Sequence, residues 1–191
     1  MKVIALVGMT GSGKSTVADM LVKKGFQFIR FGQITLDIVK ERGLEPTEEN
    51  ERPIREKIRK EHGMAAYAIL NIPKIDKLLE KGDVIADGLY SWEEYLELKK
   101  RYGESFICIA VYASPETRYK RLEIRKYDPK NDKEMRHRPF TQEQAQSRDY
   151  SEIGNLHKAG PVAMADFTIK NTGTLGDLQK KVEEVLSKIT G

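Results

Sequence analysis

Apolar residues along this chain fall into two alternating patterns. Unbroken apolar runs at residues 3–7, 84–86 and 106–111 have the length and character of strands buried on both faces. Between them, polar-rich stretches carry an apolar residue every three or four positions. Val17, Met20 and Leu21 form one such set, Trp92, Tyr95 and Leu96 another, and Leu178, Val182, Val185, Leu186 and Ile189 a third. That spacing places the apolar side chains on one helix face. The pattern predicts strands at 2–7, 26–30, 84–87, 105–111 and 167–169. It predicts helices at 14–24, 33–42, 48–61, 64–80, 92–101, 115–125 and 142–157 and at the chain's end. Pro73 should break or kink the helix over 64–80, because it lacks an N–H and its ring crowds the preceding turn. Apolar strands alternating with amphipathic helices imply an α/β fold, a parallel sheet with helices on both faces. With no internal repeat and no long linker, residues 1–191 read as one domain, and 126–140 as an insertion.

The joint between the first strand and first helix carries the strongest chemical signal. Gly8-Met9-Thr10-Gly11-Ser12-Gly13-Lys14-Ser15 fits G-x-x-x-x-G-K-[ST], the phosphate-binding P-loop. Gly8, Gly11 and Gly13 let the backbone turn so that N–H groups, with those of Thr10, Ser12 and Thr16, converge on one concavity. The helix N-terminus adds partial positive charge beneath the phosphates. Lys14 reaches the terminal phosphates, and the Ser15 hydroxyl suits Mg²⁺. The expected cofactors are ATP and Mg²⁺.

Composition narrows the partners. A net charge of +4 suits a small anionic substrate. No recognisable nucleic-acid-binding signature accompanies it, so nucleic acid is not the expected partner. Cys108 is the only cysteine, which excludes an intrachain disulfide, and its apolar run reads as core. No stretch approaches membrane-spanning length, and the N-terminus reads as a strand, so a cytoplasmic protein is expected. The Lys- and Glu-rich composition points to a thermophile. Oligomeric state is left open.

Further candidates surround the P-loop. Asp87 ends an apolar strand, where a P-loop protein holds Mg²⁺, often through water; a plain Asp-Gly turn is the alternative. Arg118, Arg121 and Arg125 share a helix face, and Lys126, Lys130, Lys133, Arg136, Arg138 and later Arg148 follow. Guanidinium groups can neutralise a transferring phosphoryl and close over it as a lid, or the set can be a solvated, salt-bridged face. Arg52, Arg55 and Arg59 form a second set, beyond Phe31-Gly32, suited to an acceptor's anionic group; ordinary surface pairs such as Glu51–Arg55 are the alternative. His62, His137 and His157 have no metal-ligand or triad spacing. A base-reading Asn-Lys-x-Asp and an Asp-x-x-Gly switch are both absent, which argues against a GTPase.

These residues together resemble the P-loop small-molecule kinases, in particular the archaeal adenylate-kinase-related proteins and the dephospho-CoA kinases. The likeness spans essentially the whole chain and is strongest at 4–16, 84–90, 119–125 and 165–178. It implies that Arg121 stacks near adenine and Arg125 meets phosphate at the lid's entrance, that Arg148 is the arginine at the lid's exit, and that Thr172 lies in the turn approaching adenine. Gly88 and Leu89 are implied at the acceptor, with Phe31, Gly32, Arg55 and Arg59. Two departures stand out. Adenylate kinases follow the second strand with Gly-Asp and an AMP-gripping arginine, where this chain has Gly32-Gln33 and Leu36. Asp37 with Arg55 or Arg59 would have to substitute. Dephospho-CoA kinases usually place an acid near this turn, which Gln33 cannot replace.

The resulting expectation is a P-loop NTPase three-layer sandwich with a five-stranded parallel sheet in order 2-3-1-4-5. Residues 31–70 would form the acceptor-binding region and 126–148 a lid. Lys14, Asp87, Arg125 and Arg148 would carry Mg·ATP-dependent phosphoryl transfer to a small acceptor, a nucleoside monophosphate such as AMP. The alternatives are a hydroxyl acceptor, as for dephospho-CoA kinase, a regulatory ATPase, and a polynucleotide 5′-kinase.

Overall fold

A computed structural model describes residues 1–126 and 139–190 of the chain. Five parallel strands, β1 (Val3–Val7), β2 (Gln27–Arg30), β3 (Val84–Asp87), β4 (Phe106–Tyr112) and β5 (Phe167–Lys170), pair in the order β2-β3-β1-β4-β5. This is the expected sheet and order. Alternation along each strand sorts side chains between the two faces. Ile4, Leu6, Ile85, Ile109 and Val111 meet α1 (Lys14–Lys23) and α9 (Leu175–Thr190). Val3, Ala5, Val7, Val84, Ala86, Phe106 and Cys108 meet α2 (Gln33–Glu41), α3 (Glu48–His62), α4 (Ala66–Leu79) and α5 (Trp92–Tyr102). Both sheet faces are therefore covered, which is why these strands read as continuous apolar runs. Cys108 is buried, and burial, then Asp166, push its thiol up to about 12, so it is an inert core group.

Three elements differ from the sequence expectation. α4 runs unbroken through Pro73. Pro73 is exposed, and the carbonyl it leaves unbonded belongs to Ile69 on the same solvent-facing side, while Asn71 and Ile75 anchor the opposite side in the core. A short helix, α8 (Ala159–Ala163), was not legible, because Ala-Gly-Pro-Val-Ala has no period and two helix-breaking residues. Gly160 is what allows it: a Cβ there would stand 2.9 Å from Cε3 of Trp92, so only glycine lets α8 lie against α5. Finally, α6 (Pro115–Glu123) ends two residues early, and Arg125 follows it in irregular chain. α7 (Gln142–Leu156) starts from a Thr141–Gln144 capping box. Of the expected lid over 126–148, residues 127–138, with Lys130, Lys133, Arg136 and Arg138, lie outside the described residues. No helix among the described residues is long and apolar enough to cross a membrane.

Candidate functional site

The C-terminal ends of β1 and β3 are adjacent, with Leu6 opposite Asp87, so the P-loop that follows β1 and the carboxylate that ends β3 meet at one edge of the sheet. Parallel α/β sheets bind ligands at this edge. Between the elements lies a cleft of about 310 Å³. Its floor is Thr10, Gly11, Gly13, Lys14, Ser15 and Thr16. Gly13 has φ 100 at the N-cap of α1, and a Cβ there would overlap Asn171 Nδ2. That amide donates to Ser12 O at 2.9 Å. The turn after β5 thus clamps the loop from behind, and a side chain at position 13 would displace the clamp.

Lys14 Nζ donates to the loop's own carbonyls, Gly8 O at 2.7 Å and Met9 O at 3.2 Å. Burial, followed by the nearby Lys158 ammonium, lowers Lys14 to about 7, with Asp87 and Glu152 opposing. A terminal phosphate would offer this ammonium a better partner than two carbonyls. Asp87 is 5 % exposed, and its Oδ1 is buried with no hydrogen-bond partner among the described residues. A carboxylate oxygen without a donor is costly to bury, and this one shares the cleft wall with Ser15. An oxygen-seeking Mg²⁺ with its waters fits that pair.

The opposite wall is basic and comes from separate elements. Arg121 on α6, Arg125 beyond it and Arg148 on α7 all line the cleft. Arg121 Nη2 donates to Asn171 O at 3.0 Å, while its Nη1 is buried without a partner among the described residues. Arg148 lies over the Phe140 ring, 5.5 Å from its centroid, and bonds Glu152 Oε1 through Nε at 2.9 Å. Arg118, expected on the same face, turns away. It is buried against Asp149, with bonds of 3.0 and 2.5 Å, and donates to Thr10 O at 3.0 Å. Its place is behind the P-loop, bracing it.

The expected acceptor residues separate. Gly88 lines the cleft. Phe31 and Leu89 are fully buried core residues and do not line the cleft. Gly32 lies under the Tyr90 hydroxyl, where a Cβ would approach it to 3.3 Å. Arg55 is committed to Glu48 and Glu51, the surface-pair alternative. Arg52 likewise pairs with Glu56. Arg59 instead lies 5.1 Å from the Tyr67 ring centroid, with Nε buried and unpartnered among the described residues. Thr172 is exposed, and its neighbour Asn171 lines the cleft. Gly8 and the buried Ser12 shape the loop from beneath.

Sequence reasoning did not find Arg30, Tyr90, Phe140 and Asn171 in the lining, nor Glu94, Glu152 and Lys158 beside it. Only Glu94 left a signal: Ser91-Trp92-Glu93-Glu94 is a capping box, with Glu94 Oε2 accepting from Tyr90 N at 2.8 Å and Ser91 N at 3.3 Å. Burial raises Glu94 to about 7 against those bonds and against Arg59. Because this carboxyl holds its proton more tightly folded than unfolded, stability is fullest below about 4.5 and is lost as pH rises to about 7. Glu94→Gln keeps an oxygen for both N–H groups without the charge. The variant is expected to be more stable than wild type by about 2–3 kcal/mol near pH 8, an advantage that vanishes near pH 4.5. Urea denaturation of both proteins across that range checks it, and a constant difference would contradict the burial cost.

Comparison with known proteins agrees with this geometry. The family pattern described as AAA domain matches residues 4–146. A UPF0200 protein of Pyrococcus horikoshii is 34% identical over 191 residues, covering 98% of this chain and 97% of that protein. A UPF0200/UPF0201 protein of Archaeoglobus fulgidus is 35% identical over 192 residues, and the match covers 99% of this chain but 56% of that longer protein. Among solved structures, a shikimate kinase from Bacteroides thetaiotaomicron superposes with TM-score 0.58 at 14% identity, covering 98% of each chain. A gluconokinase from Sinorhizobium meliloti gives TM-score 0.57 at 14% identity, covering 98% of this chain and 93% of its own. The fold is that of the P-loop kinases, and the chain belongs to the UPF0200 family, within the AAA-domain P-loop proteins.

Proposed function

We propose that this protein transfers the γ-phosphoryl group of Mg·ATP to a small anionic acceptor, in the first instance a nucleoside monophosphate such as AMP. The observation that carries the reading is one cleft in which Lys14, the unpaired Asp87 oxygen and three arginines from different elements face each other. Phosphoryl transfer spreads negative charge over the moving group and needs little covalent chemistry from the protein, so preplaced cations and positioning are the main requirements. The P-loop amides and Lys14 bind the triphosphate. Asp87 and Ser15 would hold Mg²⁺, which would supply neutralisation of the phosphate charge. Arg121 lies where a guanidinium can stack on a base, and Arg125 and Arg148 meet the transferring group and exclude water with Phe140. Arg30, Tyr90 and Gly88 border the acceptor's end. The folds of a shikimate kinase and a gluconokinase support small-molecule phosphotransfer as the class.

One observation favours a second reading, a hydroxyl acceptor. Leu36 is 4 % exposed in the core, and Gln33 bonds Asp37 at 2.9 Å, so the turn after β2 itself presents no arginine and Arg30 at the strand's end is the cation there for a second phosphate. ADP release measured over a panel of nucleoside monophosphates and hydroxyl-bearing acceptors separates these. Stimulation by a monophosphate supports the first reading. Slow, acceptor-independent turnover would mean an ATPase. In the same assay Asp87→Asn should raise the Mg²⁺ concentration giving half-maximal rate by about tenfold or more, since lost ligand or outer-shell carboxylates commonly cost that much in metal affinity. An unchanged midpoint would make Asp87 a turn residue only.

A further inference from the structure

Lys158 is 1 % exposed, and the chain takes an unusual path to bury it. His157, with φ 51, is the non-glycine residue among those described that adopts the left-handed region. That turn sends the chain back on α7, so that Lys158 N bonds Glu152 O at 3.2 Å and Lys158 Nζ bonds Glu152 Oε2 at 2.6 Å. The ammonium also lies 4.9 Å from the centroid of the Tyr90 ring, which borders the cleft. Glu152 is itself 5 % exposed, and its other oxygen accepts from Arg148 Nε. Burial alone would raise the Glu152 carboxyl, yet Lys158 and Arg148 on either side hold it well below the usual carboxylate range. The carboxylate is therefore shared, one oxygen to each cation.

Sharing has a consequence for the cleft. An arginine beside a carboxylate with both oxygens available favours a bidentate fork, two parallel N–H···O bonds in one plane. Lys158 occupies the second oxygen and denies Arg148 that geometry. Arg148 is held through Nε, which leaves the guanidinium's terminal edge for the cleft and its face for Phe140. A buried ion pair is a poor way to gain stability, since an apolar side chain of the same volume is often as good or better. Its value here is orientation.

We propose that Lys158 is a positioning residue for phosphoryl transfer, which keeps Arg148 available to the transferring group by occupying Glu152 Oε2. The inference rests on the phosphotransfer reading above. Without the lysine, Arg148 would fold onto Glu152 and withdraw from the phosphoryl. Arg148 acts in the transition state, so the loss should appear there and not in the ground state.

The test compares equilibrium affinity for two probes, a non-hydrolysable ATP analogue with Mg²⁺ and ADP with Mg²⁺ and aluminium fluoride, which mimics the transferring group. Lys158→Met, close in volume and without charge, should weaken the aluminium fluoride complex by about tenfold or more. Its affinity for the ATP analogue should stay within about threefold of wild type. In an Arg148→Ala background the same change should cost nothing further, because the arginine it positions is gone and the other effect of Lys158, disfavouring the Lys14 charge, is relieved rather than added. Should Lys158→Met fail to fold, Lys158→Leu, which likewise brings neither charge nor donor to Glu152 Oε2, enters the same comparison. Unchanged aluminium fluoride affinity, or losses that multiply with Arg148→Ala, would overturn the proposal. Wild-type protein binding neither probe would instead overturn the phosphotransfer reading, and this inference with it.

Discussion

Lys14→Ala is expected to lower phosphoryl transfer by at least about a hundredfold, the loss typical of one charge-stabilising donor removed from a transition state. Thermal stability should stay within a few degrees of wild type. The side chain points into the cleft and, among the described residues, bonds only Gly8 O and Met9 O, and both carbonyls can turn to water once it is gone. Its charge is also poorly accommodated in the unliganded loop, where burial and Lys158 lower it to about 7. Removing it therefore costs the fold little and the reaction much. Steady-state rates and a melting curve on one preparation check both halves. A near-normal rate would refute the P-loop's role, and a large fall in stability would mean that Lys14 is a structural residue.

The largest stability effect is expected at Asp149. Asp149→Ala leaves the Arg118 guanidinium buried without its counter-charge, a change that costs about 3–5 kcal/mol in comparable buried pairs. Both partners are nearly inaccessible, at 5% and 6% side-chain exposure, so water cannot take over. Asp149 also accepts from the Tyr119 hydroxyl at 3.0 Å, and Arg118 secures Thr10 O, so the damage should reach the P-loop. Asp149→Asn should lose clearly less, because its amide oxygen still accepts one of the arginine's bonds. Chemical denaturation of both variants, with nucleotide affinity measured beside it, tests this. Equal and small losses would show that Arg118 finds other partners.

The sheet and the P-loop were legible because their signals are local. Continuous apolar runs report strands covered on both faces, and the spacing from Gly8 to Ser15 is fixed by the phosphate it surrounds. Asp87 was legible as the polar end of such a run. Side-chain direction on the helices was not. Arg118 and Arg121 are three residues apart on α6, yet one braces the P-loop from behind and the other enters the cleft, which is decided by how α6 docks on α7. Arg55 and Arg59 separate in the same way, one taken by acids of its own helix and the other turned onto Tyr67. Asn171 replaces Thr172 at the cleft because the turn after β5 directs the amide inward to Ser12 O. The Glu152–Lys158 pair left no sequence signal: one lysine among 33 basic side chains gains its meaning from a left-handed turn and from a tyrosine far away in sequence.

The most direct test of the central claim is to follow the γ-phosphoryl group itself. Protein, Mg²⁺, γ-labelled ATP and an acceptor such as AMP are incubated, quenched and separated. The account predicts that the label moves to the acceptor in wild-type protein and stays on ATP in Lys14→Ala. Label appearing only as inorganic phosphate, at the same rate with and without acceptors, would contradict it.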